Sequence, residues 1–197
     1  MPGSAAAKVT HPLGGVDELT LRRAQRGDER AWRDLVARYQ QPIHALVWRL
    51  LVGRSRHRVE DLVQETFVRV LRALPGFDPE GSASLSTWML TIATRLALNE
   101  LRRAEPERLD AVDEPAGPAR TETELERRRL GAAIARGVAS LPEGQRAVFV
   151  LRDYHDLDYA DIAGILEIDL GTVKSRLARA RAALRHHLEA AGFGGRS

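Results

Sequence analysis

The stretch from Asp158 to Leu188 constrains the fold more than any other part of the chain: it spells two helices separated by a tight turn. Asp158 is placed to cap the first helix, with Asp161 three residues on in a capping-box arrangement that satisfies orphan backbone N–H groups. Ile162, Ala163, Ile165 and Leu166 form its buried side. Asp169 is placed to cap a second helix that runs through Gly171, Thr172 and Val173 to about Leu188. On that helix Val173, Leu177, Ala180, Leu184 and Leu188 fall within a stripe roughly 80° wide at about 100° per residue. Lys174, Ser175, Ala178, Arg179 and Arg185 point away from the stripe.

Charge separates along the same stretch. Between Leu170 and His187 there are five basic residues (Lys174, Arg176, Arg179, Arg181 and Arg185) and no acid. Asp153 to Asp169 holds six acids and no Lys or Arg. A solvated helix mixes its signs, so the segregation points to a helix-turn-helix whose second helix enters the major groove of DNA. A basic amphipathic helix on any bundle or membrane surface is the blander reading, and the two capped helices so close together argue against it. The whole-chain charge of +3 would not by itself signal nucleic acid.

The remainder of the chain reads as helical too. Asp17 is expected to cap a helix from Glu18 to Arg26, and Asp28 a long one in which Trp32, Leu35, Val36, Tyr39, Ile43, Leu46, Val47 and Leu50 keep helical spacing. Pro42 sits inside that pattern and should kink or locally disrupt it. A basic connection, Arg54 to His57 and Arg58, leads to a third helix, Val59 to Leu74, with Leu62, Phe67, Val70, Leu71 and Leu74 on its core side. Pro75-Gly76 and a polar loop precede a fourth helix, Leu85 to Arg103. A further helix spans Leu125 to Ala139, and Ser140-Leu141-Pro142 opens another to about Tyr154. No strongly alternating strand pattern occurs, so the fold class is all-α, with enough apolar residues (44%) for a core.

Residues 104–124 break the helical pattern with three prolines, seven acids and two arginines, which reads as a flexible acidic linker stretched by its own charge. The expected organisation is therefore an N-terminal extension (1–16), a four-helix domain (17–103), the linker (104–124), a second helical domain carrying the helix-turn-helix (125–190) and a flexible tail (191–197). The absence of cysteine excludes disulfides and thiolate metal sites and fits a reducing cytoplasm. No apolar run approaches the roughly 18–20 residues a membrane span needs, and Met1 to Val16 lacks the basic start and apolar core of a secretory signal. Direct membrane insertion is not expected, and the expected location is cytoplasmic.

Particular residues narrow the reading. Asp61-Leu62-Val63-Gln64-Glu65-Thr66-Phe67 resembles the helix with which sigma factors dock on core RNA polymerase. Ser86-Thr87-Trp88, with Ile92-Ala93 and Arg102-Arg103, resembles the segment that reads the promoter −10 element. Leu141-Pro142, Gln145-Arg146, Leu151-Arg152 and Gly171-Thr172-Val173-Lys174-Ser175-Arg176 resemble the −35-reading domain. The match runs from about Asp17 to Leu188, and the three motifs stand in order. By this resemblance the chain is identified as a member of the sigma-70 family, in its compact extracytoplasmic-function (ECF) group, which keeps region 2-like and region 4-like domains only.

The resemblance implies a factor that binds core polymerase, reads −35 and −10 elements and helps strand opening. Its partners would be the polymerase clamp helices and flap, promoter DNA and an anti-sigma factor. Asp61, Gln64 and Glu65 would face the clamp. Arg152, Thr172, Lys174, Ser175, Arg176 and Arg179 would meet the −35 element, with Arg176 touching phosphate or packing through its stem. Ser84, Ser86, Arg95, Asn99, Arg102 and Arg103 would serve the −10 element, whose flipped base is captured by the loop before the fourth helix. Trp88 is read as core rather than as a base-stacking platform. Three departures stand out. Arg95 occupies a position where many relatives carry Asn, and Glu167 one that often holds Gly. Leu170, not Pro or Ser, precedes Gly171-Thr172.

Catalytic chemistry is not expected, nor a cofactor, a metal or a small-molecule substrate. His155 lies between Asp153 and Asp156, but neighbouring residues at a helix end cannot converge on a metal, so a solvated or capping role is expected. Two other functions compete: a stand-alone helix-turn-helix regulator that acts without polymerase, and a helical adaptor that binds only protein. The first leaves Asp61 to Phe67 and the acidic linker unexplained, and steep salt dependence of promoter-DNA binding would count against the second.

Overall fold

The computed structural model describes residues 16–103 and 121–193, and every regular element among them is helical. Four helices make the first half: α1 (Glu18–Gln25), α2 (Glu29–Leu50), α3 (Arg56–Ala73) and α4 (Leu85–Arg103). The second half comprises α5 (Glu122–Ala139), α6 (Glu143–Phe149), α7 (Tyr159–Leu166) and α8 (Leu170–Ala190). The expected N-terminal extension, most of the acidic linker and the end of the tail fall outside the described residues.

Local chemistry starts the helices where the sequence indicates. Asp17, Asp28, Asp158 and Asp169 each accept a hydrogen bond from a backbone N–H in the first turn of the helix they cap. Ser55 does the same for α3, so Arg56, His57 and Arg58 are helical rather than part of a connection. Thr121 caps α5, which begins at Glu122, three residues before the expected start. The long α2 runs unbroken through Pro42, with Tyr39 and Ile43 buried on either side of it. Tertiary packing thus overrides the one backbone hydrogen bond that proline removes.

The first-half core lies between α2, α3 and α4, where Leu35, Leu46, Leu50, Val59, Val70, Leu74, Met89 and Leu90 are almost wholly enclosed. Trp88 lies half-buried against Phe77, ring centres 5.0 Å apart, and packs on this core as expected. In the second half the predicted stripe on α8 is buried, from Val173 to Leu184, against α5, α6 and α7. Gly137 of α5 lets α8 come close: a Cβ there would stand 2.5 Å from Leu184 Cδ1.

Two further expectations change. After α6 the chain makes a π-helical turn, Val150–Tyr154, which widens the helix end and swings His155 inward to 3% exposure. His155 is therefore a buried side chain, not a solvated one. Leu71, expected in the core, is 45% exposed.

The halves also touch each other. Helix α7 packs on α4, and the π-turn packs on α2. Arg49 of α2 sits 4.1 Å above the ring of Tyr154, a cation–π contact between the halves. Among the described residues no helix is long and apolar enough to cross a membrane.

Candidate nucleic-acid interface

Three surfaces collect the residues singled out from the sequence. The first is the outer face of α8. Asp169 holds its N-terminus by accepting from both the backbone N–H and the hydroxyl of Thr172, at 2.8 and 2.6 Å. Those bonds hold the Asp169 carboxyl below the usual carboxylate range. Thr172 is thereby committed to the cap, and Ser175 donates back to the Thr172 carbonyl. Lys174, Ser175 and Arg179 are exposed, while Arg176 is half-buried. The Arg176 guanidinium lies over the backbone of α6, 3.0 Å from where a Cβ on Gly144 would stand. Arg152 does not reach for this face. It donates to the Leu157 carbonyl at 2.8 Å, pairs with Asp156 at 3.1 Å and lies over the Tyr159 ring, so it braces the turn leading into α7. Arg181 pairs with Asp153 at 2.7 Å. Part of the charge separation seen in the sequence is thus satisfied inside the domain, which leaves Lys174, Arg179 and Arg185 as the exposed basic edge of α8.

The second surface runs along α4. Arg95, Asn99 and Arg102 fall at i, i+4 and i+7 on its exposed side, with Arg103 beside them. At the start of the helix, Ser84 Oγ accepts from the Thr87 backbone N–H and stands 2.8 Å from Ser86 Oγ. Ser84 therefore acts as the N-cap, and Ser86 is buried. Glu100 turns aside into a two-pronged pair with Arg58, at 2.6 and 2.5 Å, which holds its carboxyl below the usual range.

The third surface is the outer side of α3. At about 100° per residue, Asp61, Gln64, Val68 and Leu71 lie within roughly 80° of one another and face away from the buried set of Val59, Leu62, Val63, Thr66 and Val70. Glu65 lies to one side and pairs with Arg69 at 2.7 Å. Between α2 and α3 opens an apolar cleft of about 300 Å³ lined by Trp32, Val36, Val63, Phe67, Val68 and Leu71, with Gln64 at its edge. An edge-to-face pair of Trp32 and Phe67, ring centres 6.3 Å apart, lies in the cleft wall. Sequence reading found the polar residues of this face and missed its apolar ones. Val68 carried a signal, lying roughly 180° around the helix from Val59, but Leu71, at roughly 120°, continues the apolar arc and carried none.

The chain resembles known proteins along both halves. The Sigma-70 region 2 family model matches residues 35–107, and the Sigma-70, region 4 model matches residues 132–184. The ECF RNA polymerase sigma-E factor of Escherichia coli (strain K12) is 34% identical over 185 residues, covering 88% of this chain and 94% of that protein. The structure of CnrH in complex with the cytosolic domain of CnrY aligns with a TM-score of 0.61 at 28% identity, over 88% of this chain and 97% of that one. The sigma factor RpoE from Bartonella quintana, solved with the anti-sigma factor NepR, shares the fold at a TM-score of 0.64 and 20% identity, over 80% of this chain and 96% of that one.

Proposed function

The chain belongs to the extracytoplasmic-function group of the sigma-70 family of RNA polymerase sigma factors, and from that premise we propose how its three surfaces divide the work of finding a promoter. As a member of that family it is a non-catalytic initiation factor that binds core RNA polymerase and directs it to promoters. The polymerase itself supplies the metal and the chemistry.

The outer side of α3 docks on the polymerase clamp helices. Asp61, Gln64 and Glu65 give this surface its charge and hydrogen bonds, and exposed Val68 and Leu71 give it apolar area to bury. An anti-sigma factor holds the chain inactive by covering the same strip. The second half docks on the flap and lays α8 in the major groove at the −35 element. There Arg179 can fork onto guanine O6 and N7, Lys174 and Ser175 reach base edges or phosphate, and Thr172 sets the helix start. Arg176 and Arg152 act from behind, the first against α6 and the second in the turn. Along α4, Arg95 and Asn99 face the −10 element while Arg102 and Arg103 hold its phosphates. Ser84 and Ser86 shape the start of α4, beside the loop that captures a flipped base.

The observation that carries this reading is the mixed strip on α3. A domain that only bound DNA through α8 would have no use for exposed Val68 and Leu71 beside Gln64 on its other half. The test is co-elution of the purified chain with bacterial core RNA polymerase on a sizing column. Wild type is expected to co-elute, and Asp61→Arg/Glu65→Arg and Leu71→Ser to elute free while melting like wild type. A folded wild type that never co-elutes would overturn the reading and leave a stand-alone DNA-binding regulator.

A further inference from the structure

Helix α1 supplies none of the residues of the three surfaces, yet it grips the approach to one of them. Gln25, its last residue, donates through Nε2 to the Leu74 carbonyl at 3.1 Å and to the Phe77 carbonyl at 2.7 Å. These acceptors lie 49 and 52 residues further along the chain, at the 3₁₀ turn Leu74–Gly76 that follows α3. The Leu74 carbonyl also accepts from the Phe77 N–H at 3.0 Å, so the turn is closed from within and clamped from α1. A carbonyl only accepts, so only the NH2 end of the amide can serve this pair, and both of its protons are spent. Leu21 and Ala24 are buried on the same helix, which fixes where Gln25 reaches.

The clamped turn is one end of the loop that runs into α4. Phe77 opens that loop, its ring 5.0 Å from the ring of Trp88 and its carbonyl held by Gln25. At the other end Ser84 caps α4. Residues between these ends are mostly exposed. Two bonds within the loop are short-range: Asp78 accepts from the Glu80 N–H through its carboxylate and from the Gly81 N–H through its carbonyl. Such bonds shape the loop without aiming it, so its direction is set where it is anchored. Releasing one anchor multiplies the conformations that a bound base must then suppress, and that entropy is lost from affinity.

We propose that Gln25 is a positioning residue for strand opening: it touches no DNA itself and pre-sets the loop that captures a flipped base of the −10 element. The inference rests on the assignment of that loop above. A bond pair that merely tied α1 to its neighbours would contribute to stability and leave base capture unchanged.

The test uses holoenzyme assembled from core RNA polymerase and the full chain. Its probe is a single-stranded oligonucleotide carrying the non-template −10 element of a promoter selected with that holoenzyme. Gln25→Met keeps the length of the side chain and removes its donors, and Gln25→Glu keeps the shape but sets acceptors against acceptors. Both variants are expected to co-elute with core polymerase as wild type does, which shows that they fold. Both should bind the probe more weakly than wild type. An abasic site is then placed at each −10 position in turn. At the captured position it should cost wild type about 5- to 150-fold in affinity, the range for one stacked base, and should cost Gln25→Met less than about fivefold. An equal loss in wild type and variant would overturn the positioning role while leaving base capture intact. No loss in wild type at any position would overturn base capture itself, and this inference with it.

Discussion

Arginines have three different jobs in the second half of the chain, and the structure separates them by what each guanidinium already holds. Arg179 is exposed on α8, whereas Arg152 is spent on the Leu157 carbonyl and Asp156. Replacing Arg179 by Ala is expected to weaken holoenzyme binding to its promoter by about 5- to 150-fold, the range for losing one forked base contact, and to relax preference at one −35 position. Fluorescence anisotropy across single-base promoter variants measures both. Arg152→Ala should instead lower the melting temperature of the free chain. If Arg152→Ala melts like wild type yet loses −35 selectivity, the bracing role given to it here is wrong. Arg146 shows the third job: nearly buried, it donates to the Ala139 carbonyl and ties the end of α5 to α6.

At the scale of elements, helix contacts decide which small residues are replaceable. Gly137→Ala should destabilise the chain by about 1–3 kcal/mol, because the new methyl collides with Leu184 and His187. Gly164→Ala, inside α7 with open space around it, should stabilise by about 0.5–1 kcal/mol. Urea denaturation distinguishes the two, and equal midpoints would contradict the close approach of α5 and α8. The caps make the helices acid-sensitive. Asp17, Asp28, Asp169 and Glu100 all have lowered pKa values, so the stability they contribute is fully present above the ordinary carboxylate values of 3.8 and 4.5 and is lost as pH falls through their folded values. Asp161 has the opposite sign, since burial and then Asp158 raise its pKa, and it gains as pH falls. With four groups against one, the melting temperature should fall steadily below about pH 4.5. A flat melting temperature down to pH 3 would contradict the cap assignments.

The same element scale shows what the sequence could reveal. Helix starts were legible where an Asp stands within three residues of the backbone N–H that donates to it, a local matter, as at Asp158, Asp169 and Asp28. The buried stripe on α8 was legible because only one face of that helix is apolar. On α3 apolar residues cover more than half the circumference, so spacing could not say that Leu71 faces out while Val63 faces in. The inward turn of His155 depends on a π-helical turn, and the pairing of Arg95 with Glu167 spans 72 residues. Neither has a local signature.

For the whole molecule, the account rests on two DNA-reading surfaces carried on separate halves and aligned by a third protein. In the proposed division, residues 16–103 carry the polymerase strip and the −10 face, and residues 121–193 the −35 face. A stand-alone regulator would need only the second of these, and would bind its site without polymerase. The most direct measurement is selection from a randomised DNA library by the purified chain with and without core RNA polymerase, followed by sequencing of the bound pool. The account predicts two conserved blocks at one fixed spacing with polymerase present, and no such pair with the chain alone. A single block or a palindrome enriched equally well without polymerase would contradict it.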